Sequence, residues 1–141
     1  MPENVPEETA AALRNTIQRM LEDFRVEPSV ISDGLNFAAQ SPDDAGRFLQ
    51  EVVRDSVEAA HPMFRLRLQA YRRDPTLLAV RRRVGLAVVA EAILETEAAP
   101  DDCIAALRDL GLLLNEEVVR RIANQVRSFV RLLPKRGLFI L

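Results

Sequence analysis

The sequence is poor in the residues from which covalent cross-links and metal sites are built. Its 141 residues contain one cysteine, one histidine and no tryptophan. The single Cys103 excludes an internal disulfide and any cysteine-based zinc site. One Glu-x-x-His motif, Glu58 to His61, is typical of di-iron bundles, but those sites need two such motifs and two further glutamates. We therefore expect no metal and no cofactor, and His61 is interpreted as a cation at the end of its helix. The alternative is a site completed by a second copy of the chain, with an extra carboxylate from Glu22, Glu27, Glu91 or Glu95.

Long apolar runs are also missing. The longest, residues 84–90, is far shorter than the roughly 20 residues that a membrane span needs. Residues 1–4 lack the basic and then apolar pattern of a secretory signal peptide. With 48% hydrophobic and 28% charged residues, the composition is typical of a soluble globular protein. We therefore expect a cytoplasmic protein that folds as a single helical domain over residues 1–141, with an apolar C-terminal tail at residues 137–141.

Apolar residues recur with helical spacing along almost the whole chain, and proline or acidic residues stand where helices should begin. This pattern predicts an all-α fold, a compact bundle of six to seven helices with one central hydrophobic helix. The predicted segments are residues 6–24, a weaker segment from Pro28, 42–61, 63–73, about 75–97, 100–110 and 115–133.

Two of these segments are less clear than the others. Residues 63–73 alternate apolar and polar side chains, which is the period of a strand. They contain no β-branched residue and are rich in helix formers, so a helix is favoured there. In the segment from Pro28, Gly34 in the middle costs about 1 kcal/mol of helix stability relative to alanine.

Charge is distributed in blocks. The net charge is −2, but residues 1–64 carry −7, residues 65–83 carry +6, residues 84–119 carry −7 and residues 120–141 carry +6. The two basic blocks predict a face that binds the phosphates of a nucleic acid. The alternative is that these side chains form ion pairs with the acidic blocks of the same chain. The candidate phosphate-binding residues are Arg65, Arg67, Arg72, Arg73, Arg81, Arg82, Arg83, Arg120, Arg121, Arg127, Arg131, Lys135 and Arg136.

Evidence for an enzyme is weak. The sequence has no nucleophile motif and no glycine-rich phosphate loop. Glu91 and Glu95 lie one turn apart on the predicted central helix, as an acid–base pair, as the solvent-facing strip of that helix, or as partners of an arginine from another block. Cys103 lies in the first turn of its helix, either as a thiol activated by the helix dipole or as a small buried hydrophobic residue. We therefore expect a protein without catalytic residues.

The C-terminal segment combines two basic residues with an apolar end. Four consecutive apolar residues at 138–141 would favour nonspecific association if they were exposed to water. They should therefore be buried against their own bundle, a neighbouring subunit or a partner. We predict a non-enzymatic protein–protein interaction module, an adaptor, assembly subunit or regulator that forms homo-oligomers and docks through charged helix faces and this tail. The alternative is a nucleic-acid-associated helical protein that uses the two arginine-rich blocks. The predicted partner-binding residues are Leu138, Phe139, Ile140 and Leu141.

Overall fold

A computed structural model of the chain describes residues 6–58 and 63–133. Across these two ranges the secondary structure is entirely helical, with seven α-helices and no strand. The predicted all-α fold is therefore confirmed. The helices are α1 (Pro6–Phe24), α2 (Ser29–Gln40), α3 (Pro42–Glu58), α4 (Met63–Arg73), α5 (Leu78–Thr96), α6 (Pro100–Asp109) and α7 (Glu116–Leu132).

The predicted central hydrophobic helix is α5. It is buried continuously from Val84 to Ala90, and α1, α2, α3, α4 and α7 all pack against it. A helix that is apolar around most of its circumference is stable only when other elements surround it, which is the arrangement here. The side chains that all seven helices contribute form one hydrophobic core around α5.

The start of α5 differs from the prediction. The helix begins at Leu78, not at Pro75. The carboxylate of Asp74 accepts hydrogen bonds from the backbone N–H of Thr76 at 3.3 Å and from its hydroxyl at 2.8 Å. An aspartate that bonds to the residue two positions ahead stabilises a turn. Asp74 therefore closes a turn, and α5 begins only after this turn.

Helices α2 and α5 cross at two glycines. A Cβ atom added to Gly85 would lie 1.9 Å from the carbonyl oxygen of Val30, and one added to Gly34 would lie 2.4 Å from the backbone nitrogen of Leu86. No side chain fits between backbones that approach this closely. The cost of Gly34 to helix stability is therefore offset by a contact between α2 and α5 that only glycine permits.

The ambiguous segment 63–73 is helical, as predicted. Leu68 and Tyr71 are buried, and Phe64 and Arg67 are partly buried. These positions follow the i, i+3, i+4, i+7 spacing of one helix face. The strand-like alternation is a coincidence of sequence, because Arg67 lies on the inner face together with the apolar side chains.

Helices α6 and α7 are delimited as the sequence predicts. Gly111 follows α6 with a positive φ of 73°, and the N–H of Leu112 donates to the carbonyl of Leu107 at 2.9 Å. This is the glycine-terminated end that the sequence indicates. At the start of α7, the side-chain oxygen of Asn115 accepts hydrogen bonds from two backbone N–H groups at 2.9 and 3.3 Å. No helix in residues 6–58 and 63–133 combines the length and the apolarity that crossing a membrane requires.

Candidate docking groove

The apolar stripes of α3 and α7 extend beyond the core. In α3, Ala45 to Val53 contribute their apolar side chains to the core, but Val57, one turn further along, is 49% exposed. In α7, Val126 is buried, whereas Val130 is 40% exposed. Both exposed valines line the same cavity. The hydrophobic pattern therefore continues past the point where another helix covers it.

This cavity, called the end groove below, lies where the C-terminal parts of α1, α3, α5 and α7 meet the first turn of α4. It encloses about 650 Å³. A smaller cavity of about 230 Å³ between α5 and α7 shares Leu94 and Val130 with it, so the two are adjacent. The rings of Phe24 and Phe64 meet edge to face, with centroids 5.1 Å apart, and join α1 to α4. The apolar lining of the end groove consists of Met20, Phe24, Val57, Phe64, Leu94 and Val130.

The polar side of the end groove is acidic. Five side chains complete the lining, Arg19, Asp23, Ser56, Glu91 and Glu95. The guanidinium of Arg19 donates to the Glu95 carboxylate at 2.8 Å, and the Ser56 hydroxyl donates to Glu91. Asp23 is exposed and makes no ion pair with any described residue. The groove thus offers carboxylate oxygens beside an apolar surface.

Glu91 is the titratable lining residue whose environment changes its proton affinity. Burial raises the pKa of its carboxyl, and the nearby carboxylates of Asp55 and Glu95 raise it further. The hydrogen bond from Ser56 and the positive charge of Arg67 oppose this shift. A half-buried carboxyl of this kind is sensitive to the charge of whatever occupies the groove.

The two glutamates that the sequence singles out therefore have different environments. Glu95 forms an ion pair with Arg19, which confirms the interpretation as a solvent-facing residue that partners an arginine. Glu91 lies half-buried one turn earlier and is held by Ser56. The end groove thus presents two carboxylates with different partners, Glu91 bonded to a hydroxyl and Glu95 to a guanidinium.

Several predicted phosphate-binding arginines are engaged with acidic residues of the same chain. Arg67 contacts the Asp55 carboxylate at 3.0 Å, Arg81 contacts that of Asp33 at 2.7 Å, and Arg120 contacts that of Asp101 at 2.8 Å. The hydrogen bond that the Arg81 guanidinium donates to the Asp33 carboxylate raises the pKa of Arg81. For these three residues, the alternative of pairing with the acidic blocks is confirmed.

Other arginines of the basic blocks donate to backbone carbonyls. The acceptors for Arg72, Arg83, Arg121 and Arg127 are Phe24, Ala79, Ala38 and Ala98, at 3.3, 3.1, 2.6 and 3.2 Å. The guanidinium of Arg83 also lies over the Phe37 ring, at 5.5 Å from its centroid. These contacts hold the side chains close to the protein surface. Within the two basic blocks, four arginines make no hydrogen bond or ion pair with the described residues: Arg65, Arg73, Arg82 and Arg131.

One basic stripe remains open to solvent. Arg65, Gln69, Arg72 and Arg73 are all exposed and lie on one face of α4. Tyr71, the one aromatic residue in the first basic block, is 4% exposed and is not available for stacking on a base. Binding of phosphates by the two blocks stays a prediction. The exposed face of α4 is a place where phosphates could contact several basic side chains at once.

Cys103 is a small buried residue of α6. Burial and the neighbouring Asp102 carboxylate raise the pKa of its thiol to about 12. A thiol with such a pKa stays protonated near neutral pH and is a poor nucleophile. The interpretation of Cys103 as a core residue, not as an activated thiol, is the one that the structure supports.

Some predicted residues lie outside the described part of the chain. They are His61, Lys135, Arg136 and the four tail residues Leu138, Phe139, Ile140 and Leu141. Within the described ranges, no three histidine, cysteine, aspartate or glutamate side chains are grouped so that they could hold a metal ion. Compared with family models, with curated proteins and with solved structures, the chain matches none.

The end groove is not evident from the amino-acid sequence. Val57 and Val130 are indistinguishable from core residues in the sequence, because each continues a regular apolar stripe. The one available signal is that three helices, α1, α3 and α7, carry an apolar residue near their C-terminal ends. The pattern does not show that these ends lie together and are uncovered.

Proposed function

We propose that this chain is a non-enzymatic protein–protein interaction module that self-assembles by docking a second copy on the end groove. The observation that carries the proposal is the groove itself, an apolar surface with exposed Val57 and Val130 beside an acidic rim. Exposed apolar patches with polar margins are typical of protein–protein contact sites. An adaptor, an assembly subunit and a regulator all require such a surface.

A second copy is the favoured occupant because the chain itself carries a matching segment. The groove sets apolar side chains beside an acidic rim, and the sequence sets Lys135 and Arg136 shortly before four apolar residues. In such interfaces a few buried apolar anchors supply most of the affinity, and the charged rim determines register and association rate.

The state of the lining side chains supports a binding role over a catalytic one. Glu95 is held by Arg19 and Glu91 by Ser56, so the carboxylates serve as fixed acceptors. The apolar side chains form a continuous wall on which another side chain can pack. A homo-oligomer forms when one surface of a chain is complementary to a surface of its copy.

The test is the molar mass of the full chain, measured by light scattering after size-exclusion chromatography over a range of concentrations. We expect a discrete oligomer, and we expect Val57→Asp or Val130→Asp to shift it towards the monomer. Leu66→Asp is the matched control, because Leu66 is 49% exposed like Val57 but does not line the groove. A monomeric wild type, or groove variants with wild-type mass, would overturn the proposal. Circular dichroism establishes that each variant is folded.

The second candidate is a nucleic-acid-associated protein, and the exposed stripe on α4 is the observation that favours it. The test is fluorescence anisotropy with a labelled 20-nucleotide DNA at low and high salt. The double variant Arg65→Glu with Arg73→Glu should abolish binding and its salt dependence, because phosphate contacts act through counterion release. Arg54→Glu is the control, an exposed arginine of α3 outside both basic blocks. If the control loses as much binding as the double variant, the stripe is not the site.

A further inference from the structure

The end groove and the C-terminal segment are complementary in chemistry. The groove places apolar side chains next to Asp23, Glu91 and Glu95, of which only Glu95 has an arginine partner in the lining. The segment 134–141 places Lys135 and Arg136 directly before four apolar residues. Each half of the segment therefore finds its counterpart in the groove.

We infer that residues 134–141 of one copy occupy the end groove of a second copy, and that the exchange is reciprocal. This inference rests on the proposed function and names the element that docks. The apolar residues 138–141 would pack against Val57, Leu94 and Val130, and the basic residues would face the acidic rim. Two equivalent docking events then form one two-fold symmetric dimer.

α7 ends directly before the docking segment. Its last residue is followed by Leu133, whose φ of −73° and ψ of 142° are those of extended backbone. Pro134 comes next, and because proline has a fixed φ and no backbone N–H it does not continue a helix. The sequence therefore sets residues 134–141 apart from α7 as a separate docking element.

The length of the connection favours exchange between copies. The four residues 134–137, which lie between Leu133 and the apolar residues 138–141, span at most about 14 Å when fully extended. Short connections of this kind favour the exchange of an element between protomers.

Charge is expected to contribute less than the apolar residues. The rim carboxylate of Asp23 is exposed to solvent, and exposed ion pairs are weak. Lys135→Glu or Arg136→Glu should therefore weaken the dimer by about two- to fivefold each, and less at high salt. The double variant Phe139→Asp with Ile140→Asp removes two buried apolar anchors and should weaken it by about 100-fold or more.

The decisive experiment is complementation between two full-length variants, followed by native mass spectrometry. One variant carries Val57→Asp in the groove, and the other, labelled with ¹⁵N, carries Phe139→Asp and Ile140→Asp in the tail. We expect each variant alone to be monomeric. Their mixture should form a heterodimer, because the intact tail of the first variant can enter the intact groove of the second.

The other outcomes separate the inference from the proposed function. If the tail variant dimerises like the wild type, the inference is overturned and the proposed function stands. If both variants are monomeric and the mixture forms no heterodimer, the tail does not act between copies and the inference is again overturned. If the groove variant dimerises like the wild type, the proposed function itself fails. Leu66→Asp in each background controls for a nonspecific effect of charge.

Discussion

The two halves of α5 both contribute buried residues to the core but have opposite surroundings. The N-terminal half is closed by α2, whose backbone approaches so closely that Gly34 and Gly85 leave no room for a side chain. The C-terminal half ends in the end groove, where Glu91 and Leu94 face an open cavity of about 650 Å³. One helix therefore serves as the centre of the core and as the wall of a candidate docking site.

The difference shows what decides whether an apolar face is buried. In the closed half, two glycines allow two backbones to meet, and the side chains around them interlock. In the open half, α3 and α7 carry their apolar stripes on to Val57 and Val130, but no described element covers them. The hydrophobicity of a helix face determines how much burial would stabilise it. Whether the face is buried depends on whether another helix can pack closely against it.

The largest loss of stability is expected from adding a side chain where α2 and α5 cross at their glycines. Gly85→Ala places a Cβ atom 1.9 Å from the Val30 carbonyl oxygen, so the backbones of α2 and α5 must separate. We expect the free energy of unfolding to fall by about 5 kcal/mol or more, as for severe overpacking. The measurement is urea denaturation followed by circular dichroism, at one protein concentration.

Gly46→Ala in α3 is the matched control for this prediction. The nearest group to its added Cβ is the flexible side-chain amide of Gln125 at 3.3 Å. Alanine is the better helix former, so this change should leave stability equal or raise it by up to about 1 kcal/mol. Equal losses from the two substitutions would mean that the α2–α5 crossing is not closely packed.

The next largest effect is expected from a comparison of two leucines, one in the closed half of α5 and one in its open half. Leu86 is fully buried, whereas Leu94 lines the end groove. Leu86→Ala should lower the free energy of unfolding by about 3 kcal/mol through loss of burial and creation of a cavity. Leu94→Ala should cost about 1 kcal/mol, because its side chain is only partly removed from water. Urea denaturation gives both values.

The same pair of variants should show the reverse order in assembly. Leu94→Ala removes a contact surface from the groove and should weaken the oligomer measured by light scattering. Leu86→Ala, when folded, should leave the oligomer unchanged. If both variants affect stability and assembly in parallel, the two halves of α5 do not have separate roles.

Much of the fold follows from the sequence because helical periodicity and terminal signals are local. Asn115 and Gly111 mark helix ends through bonds within a few residues, and the apolar run of α5 predicts its central place. The helix at residues 63–73 is also predicted by helix propensity, although the charged Arg67 lies on its inner face. Asp74 is the exception, because the same side chain can cap a helix or close a turn, and local sequence does not distinguish the two.

The candidate site is less predictable because it depends on how distant segments meet. Val57 and Val130 have the sequence signature of core residues, and only their shared exposure marks a groove. The pairing of Arg67 with Asp55 and of Arg81 with Asp33 is likewise a matter of tertiary placement. Blocks of opposite charge show that pairing is available, not which residues pair. The sequence does single out Glu91, together with Glu95, as carboxylates of the apolar helix.

The smallest expected effect is a pH-dependent change in the free energy of unfolding that comes from the carboxyl of Glu91. Burial raises the pKa of Glu91 in the folded chain above its ordinary value of 4.5. Below that value the carboxyl is protonated in both the folded and the unfolded chain. As the pH rises, the unfolded chain ionises first, so stability is lost until the folded carboxyl has also ionised.

Glu91→Gln removes this loss while it keeps an oxygen that can accept the hydrogen bond from Ser56. We therefore expect the variant to be more stable than the wild type at pH 7 and equal to it at about pH 4, in urea denaturation at each pH. Glu95→Gln is the control, because its exposed ion pair with Arg19 contributes at most about 1 kcal/mol and should give no gain at pH 7. A gain from Glu91→Gln that persists unchanged at pH 4 would come from packing and not from ionisation. The carboxyl would then be fully accessible to water, and the open half of α5 would be more solvated than its lining of apolar side chains implies.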